Sequence, residues 1–271
     1  MHQNLDDIAE LAEDLGNRFL IKGKVNLERI ARSENISFIK GNYGNHFLGQ
    51  LVHYSEQFYI ILNNDLLGKS ESGRIRFTIA HELGHYFIDA HRSKLSKGIS
   101  LSFKEELNES ESKKTEIAAN HFAANLLMPK LHFVKLAQKS DYGLSGIFTL
   151  KTKYDTSIES TVKHYININL NPCIMLKWKS DCTFHYAWCS SKFSELLQLK
   201  RFPIPIRFDA NYIKEQIRII DEYNYEYIES ATPVSRWISI ITPRSPQDIL
   251  GLEQTIKIGD FGGITLLTFQ Q

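Results

Sequence analysis

The segment RIRFTIAHELGHYF, residues 74–87, constrains this chain more than any other stretch. Its histidines, His81 and His85, are four residues apart. On a helix that spacing puts both imidazoles on one face, one turn apart, where they can share one ion. Zinc accepts imidazole nitrogen at about 2.0–2.1 Å, a reach this spacing allows. Glu82 follows the first histidine directly and would project beside the ion rather than at it. There a carboxylate can take a proton from a water on the metal. The pattern is HExxH. Ile79, Leu83 and Phe87 lie on one stripe and Ala80, Gly84 and Ile88 on its neighbour, so the helix is apolar enough to be buried. A core helix with two coincidental histidines would carry the same letters, but the buried setting and a nearby third ligand candidate argue against coincidence.

Two residues compete for that third position. His91 completes HELGHYFIDAH. In the three-histidine pattern a glycine three residues after the second histidine lets the chain turn back; here that place holds Ile88. A helix continuing through Ile88 would carry His91 about 9 Å beyond His85 along the axis and turn it away from the ion, close to the C-terminal dipole. The other candidate is Glu116, at the start of TEIAANHFAANLLMP. Ala119, Phe122, Ala123 and Leu126 form an apolar stripe there, with small residues where a second helix must pack close. Glu116 and Asn120 share a face, so Glu116 could bind the metal while Asn120 hydrogen-bonds a ligand histidine. A glutamate early in a helix is also favoured by the dipole alone, and spacing does not decide between these readings.

The rest of the chain reads as an α+β protein. Residues 4–20 form an amphipathic pattern, and Asn26 is placed to cap a helix over LERIARSE. ISFIK, FLGQLVHY and QFYIILN read as short strands separated by turn signals. A helix is expected from about Gly73 to Ala90, a polar loop or weak helix from His91 to Lys114, and a helix over 115–128 that Pro129 stops. Residues 131–170 look helical, broken at Gly143 and Gly146, with Thr156 and Glu159 as a capping box. From Asn171 the pattern turns to strands: CIMLKWK and CTFHYAW as a hairpin around Ser180–Asp181, then SRWISII, QTIKIG and GITLLTF, with a helix over NYIKEQIRIIDEY. The expected division is 1–130, a helical helix-turn-helix-like segment 131–170, and a small mixed α/β domain 171–271.

A chain of 271 residues can bury a full core, so a metal is expected to serve function rather than structure. The formal net charge of +1 does not draw the whole molecule to nucleic acid. Lys151, Lys153, Lys163 and His164 are offset by Asp155 and Glu159, so DNA binding is not expected. The acidic N-terminus lacks the features of a signal peptide, and no stretch is apolar enough to span a membrane. Three cysteines in such a chain suggest reduced thiols in the cytoplasm. Cys182, His185 and Cys189 have a metal-like spacing, but strand alternation puts Cys182 with Phe184, Tyr186 and Trp188 on one face and His185 with Cys189 on the other.

RFTIAHELGH followed by ExxANxFAxxLLMP resembles the ImmA/IrrE family of bacterial metallopeptidases, and the resemblance covers about the first 130 residues. It implies a thermolysin-like zincin core, zinc ligands at His81, His85 and Glu116, and a general base at Glu82. Family members inactivate helix-turn-helix repressors, and IrrE-like members carry a helical segment and a C-terminal domain similar to GAF sensors. The implied substrate is therefore a regulatory protein, with a small-molecule ligand at the C-terminal domain. Two rivals stand beside this: an antirepressor that inactivates its target by binding, and a general digestive protease. The intact Glu82 counts against the first, and cytoplasmic location with a large accessory domain against the second. A strand ahead of the zinc helix, FLGQLVHY or FYIILN, is expected at a sheet edge where a peptide could pair. Tyr86, His91 and His121 are conceivable oxyanion donors, and the sequence selects none of them.

Overall fold

The computed structural model describes residues 4–68, 72–99, 109–198, 206–239 and 249–269. They form an α+β fold in two compact units: Met1–Leu136 with Leu150–Ser160, and Ala137–Thr149 with Thr161–Gln271. The stretch 131–170 contributes to both units.

In the first unit, α1 (Leu5–Arg18) begins where the Asn4 side chain accepts from the Asp6 N–H, with Asp6 and Asp7 in the first turn. A two-residue ladder of β1 (Leu20–Ile21) and β2 (Lys24–Val25) leads to α2 (Leu27–Ser33), which Asn26 caps by accepting from the Arg29 N–H at 2.9 Å. Next come β3 (Ser37–Gly41), β4 (Gly49–Tyr54) and β5 (Gln57–Asn63). The sheet order is β3-β5-β4, with β3 parallel and β4 antiparallel to β5. Among the described residues this leaves β4 with no strand on its other side, as expected for one of the strands ahead of the motif helix. After the short α3 (Asn64–Leu67) come α4 (Ser72–Phe87), α5 (Asp89–Ser96), α6 (Glu109–Leu127) and α7 (Lys130–Ala137).

The core lies where α1 and α4 pack on α6. Ala80 and Leu83 on α4 and Ala119, Phe122, Ala123 and Leu126 on α6 are fully buried. Small residues set the spacing. A Cβ on Gly84 would lie 3.2 Å from the Ala119 carbonyl oxygen, and one on Gly16 only 2.7 Å from that of Leu126.

Two further helices, α8 (Leu144–Tyr154) and α9 (Ile158–Ile168), follow. The end of α8 and the turn after it return to the first unit. Asp155 accepts from the Ser72 hydroxyl at the start of α4 and lies 3.5 Å from Lys24 Nζ and 3.9 Å from Arg76 Nε. Arg76 also donates to the Val25 carbonyl at 3.0 Å. The second unit holds β6 (Cys173–Trp178), β7 (Phe184–Cys189), α10 (Ser191–Leu196), α11 (Ala210–Tyr223), β8 (Ile228–Pro233), β9 (Leu250–Lys257) and β10 (Gly263–Thr268). Its sheet is antiparallel throughout, in the order β7-β6-β10-β9-β8. Ile174, Leu176 and Trp178 pack with Phe193, Ile213 and Trp237 on one face.

Several local expectations are corrected. The motif helix stops at Phe87 instead of running to Ala90; of the stretch expected as loop or weak helix, residues 91–96 and 109–114 are helical, and 100–108 lie outside the described residues. Gly146 lies inside α8 and does not break it. The cap of α9 is Ser157, which accepts from the Ser160 N–H at 3.1 Å; Thr156 instead donates to Met128 Sδ within the core. The described part of SRWISII, up to Ser239, is not a strand: Val234–Arg236 is a 3₁₀ turn and the strand β8 precedes it, while 240–241 lie outside the described residues. In β7 a bulge puts Phe184 opposite Trp178 but Tyr186 opposite Lys177, so alternation shifts by one at His185. Phe184, Ala187 and Cys189 then face the core together with Cys182, while Trp188 donates to Asn167.

The close approach of α1 and α6 gives a test. Gly16→Ala gains up to about 1 kcal/mol in helix propensity, but its methyl meets backbone that cannot swing aside. Overpacking of this kind costs about 1–3 kcal/mol, so the urea midpoint is expected to fall. An unchanged or raised midpoint would show that α1 is free to shift.

Candidate metal centre

His81 and His85 sit on α4, and Glu116 on α6. The helix spacing of four does what helical geometry requires: the rings lie 4.7 Å apart, each with Nε2 turned to the same point. His81 Nε2 and His85 Nε2 are 3.1 Å apart. Glu116 Oε2 lies 3.2 Å from His81 Nε2, and Glu116 Oε1 3.6 Å from His85 Nε2. These three residues are the group among the described residues that could hold a metal ion.

The donor set fits zinc. Tetrahedral ligands at about 2.0–2.1 Å from zinc stand about 3.3 Å from one another. The three separations seen here, 3.1, 3.2 and 3.6 Å, are close to the edges of one face of that tetrahedron. Three protein donors leave a fourth position for a water or substrate. The site opens on the Glu116 side, whose side chain is 45% exposed against 6% for His85.

Glu82 does not join the donors. It is buried, and its Oε2 accepts from the Leu51 N–H of β4 at 2.7 Å. That N–H points away from β5, and Leu48, three residues earlier, gives its carbonyl to Asn63 on β5. Residues alternate along a strand, so the backbone groups of Gly49, Leu51 and His53 line the unpaired side. The acid of HExxH therefore lies between the donor group and a free sheet edge. Nothing in the sequence spacing signals the Leu51 contact, because it depends on which strand ends the sheet.

The charges suit a cation. Burial pushes the Glu82 carboxyl up to about 7, against the pull of His81 and the Leu51 N–H. Burial holds His85 well below the ordinary histidine value, with His81 and His91 adding to the effect, so its nitrogen is unprotonated as a ligand's must be. For His81 burial also pulls downward, but Glu116 and Glu82 together outweigh it and raise the value. The carboxylates favour a proton there for the same reason that they would favour a metal dication.

Asn120, one turn along α6 from Glu116, lies with Oδ1 3.0 Å from His81 Nδ1. With Nε2 turned to the ion site, His81 donates its Nδ1–H to that oxygen. His91 is not in the donor group. The chain bends at Ile88, which is extended (φ −79°, ψ 105°), and α5 starts at once. No glycine is needed, because a β-branched residue takes this conformation readily. The bend brings His91 back, buried, with its Nδ1 3.1 Å from His85 Nδ1, on the side of the His85 ring away from Nε2. Of the conceived oxyanion donors, Tyr86 donates to Glu34 at 3.1 Å and His121 is engaged with Leu5 of α1.

Fold and site together define an α+β protein in which an HExxH helix and a glutamate from a second helix form a group that could hold a metal ion. Residues 44–164 match the Peptidase_M78 family model, described as an IrrE N-terminal-like domain, so the family resemblance read from the motif blocks holds over that span. A solved structure of a Mycobacterium tuberculosis transcriptional regulator is similar in fold, with a TM-score of 0.61 at 13% identity, covering 99% of this chain and 87% of that one. No curated protein sequence matches the chain.

Zinc at a hundred times its dissociation constant is expected to stabilise the protein by about 2.7 kcal/mol, read as a raised melting temperature. His85→Ala should remove that rise. An equal rise in His85→Ala would place the ion elsewhere.

Proposed function

We propose that the first unit is a zinc-dependent endopeptidase acting on a regulatory protein, a helix-turn-helix repressor, in the cytoplasm. The observation that carries this is the position of Glu82: a buried carboxylate beside three metal donors, tied to the free edge of β4. His81, His85 and Glu116 would hold the ion, which when bound supplies Lewis acidity to a carbonyl and to a water. With the Leu51 N–H given to Glu82, the outward backbone groups of Gly49 and His53 on β4 can pair with an extended segment of substrate and fix the scissile bond across the site. Glu82 takes the proton of the attacking water and passes it to the leaving amine. The exposed face of Glu116 leaves room for a protein chain to enter.

Other features fit this reading. No helix among the described residues is long and apolar enough to cross a membrane. The three cysteines are free, which suits a reducing compartment. Two lysines of the helical pair have neighbours of their own: Lys153 donates to the Lys22 carbonyl, and Lys163 lies over the Tyr186 ring at 4.8 Å. The repressor as substrate and a GAF-like sensing role for the second unit rest on the family resemblance. The solved relative's description as a transcriptional regulator is in keeping with a regulatory role.

The test is Glu82→Gln. It keeps the donors and removes the base, so zinc binding should persist while cleavage falls by about 10²–10⁴. Wild type and variant, both zinc-loaded, are added to lysate of the source cell lacking this gene, and new protein N-termini are read by mass spectrometry. A cut made only by wild type supports the peptidase. Equal action of the two on the target would instead favour inactivation by binding.

A further inference from the structure

The two ligand histidines are held from behind by different partners. His81 has Asn120 on α6, a contact the sequence already suggests. His85 has His91, which arrives from α5 by way of the bend at Ile88. We propose that His91 is a positioning residue for the metal centre: its Nδ1 accepts the Nδ1–H of His85 and so fixes the tautomer and angle of that ring. This rests on the reading of His81, His85 and Glu116 as metal donors.

The argument is one of atom roles. A neutral imidazole has one N–H and one lone pair. The His85 Nε2 faces His81 Nε2 and Glu116, so a metal there requires its lone pair, and the proton must sit on Nδ1. The atom 3.1 Å from that Nδ1 is His91 Nδ1. It must then present a lone pair, which makes His91 the Nε2–H tautomer. The opposite assignment would leave both His85 nitrogens without a proton or place two N–H groups against each other.

The surroundings hold His91 in this role. It is 6% exposed, and its ring lies 5.1 Å from that of His85. Its own N–H donates to the Ile88 carbonyl at 2.9 Å, as does that of Arg92 at 3.0 Å, so the first turn of α5 locks onto the residue that makes the bend. Ile88 is fully buried, which fixes the bend in turn. Partners of this kind set the orientation and basicity of ligand histidines, and their loss typically weakens metal affinity 10–100-fold.

The test compares the full chain with His91→Asn and His91→Leu. Asn can place an oxygen where the His91 Nδ1 stands, whereas Leu fills the space without an acceptor. Zinc affinity is measured by competition with a chromophoric chelator, which needs no substrate. His91→Leu is expected to bind zinc about 10–100-fold more weakly, and His91→Asn within a few-fold of wild type. Long-range ¹H–¹⁵N spectra of the zinc-loaded wild type should show His85 protonated at Nδ1 and His91 at Nε2, a readout independent of whether either variant folds. Equal affinity in wild type and His91→Leu, or equal loss in both variants, overturns the inference, as does a His91 protonated at Nδ1. If wild type itself binds no zinc, the metal reading falls and this inference with it. If wild type binds zinc and only the His91 results fail, the metal reading stands.

Discussion

Everything at the candidate metal centre depends on how closely α4 and α6 approach. The candidate donors come from both helices, and neither helix alone offers more than two. The separation between His81 and Glu116 is set by the packing of backbone against backbone, with Gly84 lying over Ala119 and Phe122 filling the space beside them. Interiors are packed as densely as organic crystals, so this contact behaves as a rigid spacer. The same packing carries Asn120 to the back of His81. A site made this way comes with the core and does not have to be assembled when an ion arrives.

What could be read from the letters follows the range of the forces involved. The nearness of His81 to His85 and the apolar stripes of α4 and α6 were legible because helical periodicity is local and strong: Ala119, Phe122, Ala123 and Leu126 are all fully buried. Asn26 as a cap and the three strands of the first sheet were legible for similar reasons. The bend at Ile88 was not. Helix propensity would carry the chain on, whereas Ile88 is extended and fully buried, a tertiary setting invisible at short range. That one miss displaced His91 from the back of the metal centre to an imagined helix end. The bulge at His185 and the polar strand β8 were hidden likewise, since partner strands dictate both. The tie between Glu82 and Leu51 joins residues 31 apart and could be found only once β4 was seen to be an edge.

The second unit solves its own polar problem. Glu253, almost fully buried on β9, accepts from Trp237 Nε1 at 2.7 Å and from the Tyr212 hydroxyl at 2.8 Å. A buried carboxylate without such donors would cost several kcal/mol. The two aromatic donors also pack against each other, with ring centroids 5.8 Å apart. Satisfaction of the charge and filling of the core are thus achieved by the same side chains.

The first unit is discontinuous in the chain: it takes Leu150–Ser160 after a stretch that belongs to the other unit. Domains generally fold as units, beginning at the N-terminus while synthesis proceeds. Here the emerging chain would hold its helices and all the donors well before Asp155, the acid that ties the start of α4, has been made. Until Asp155 leaves the ribosome, that end of the motif helix has Arg76 without this acidic partner, and the unit is unfinished until residue 160 follows. A nascent or truncated chain ending after α7 would therefore carry His81, His85 and Glu116 without the last clasp on the motif helix, and delivery of that clasp is coupled to translation of part of the second unit.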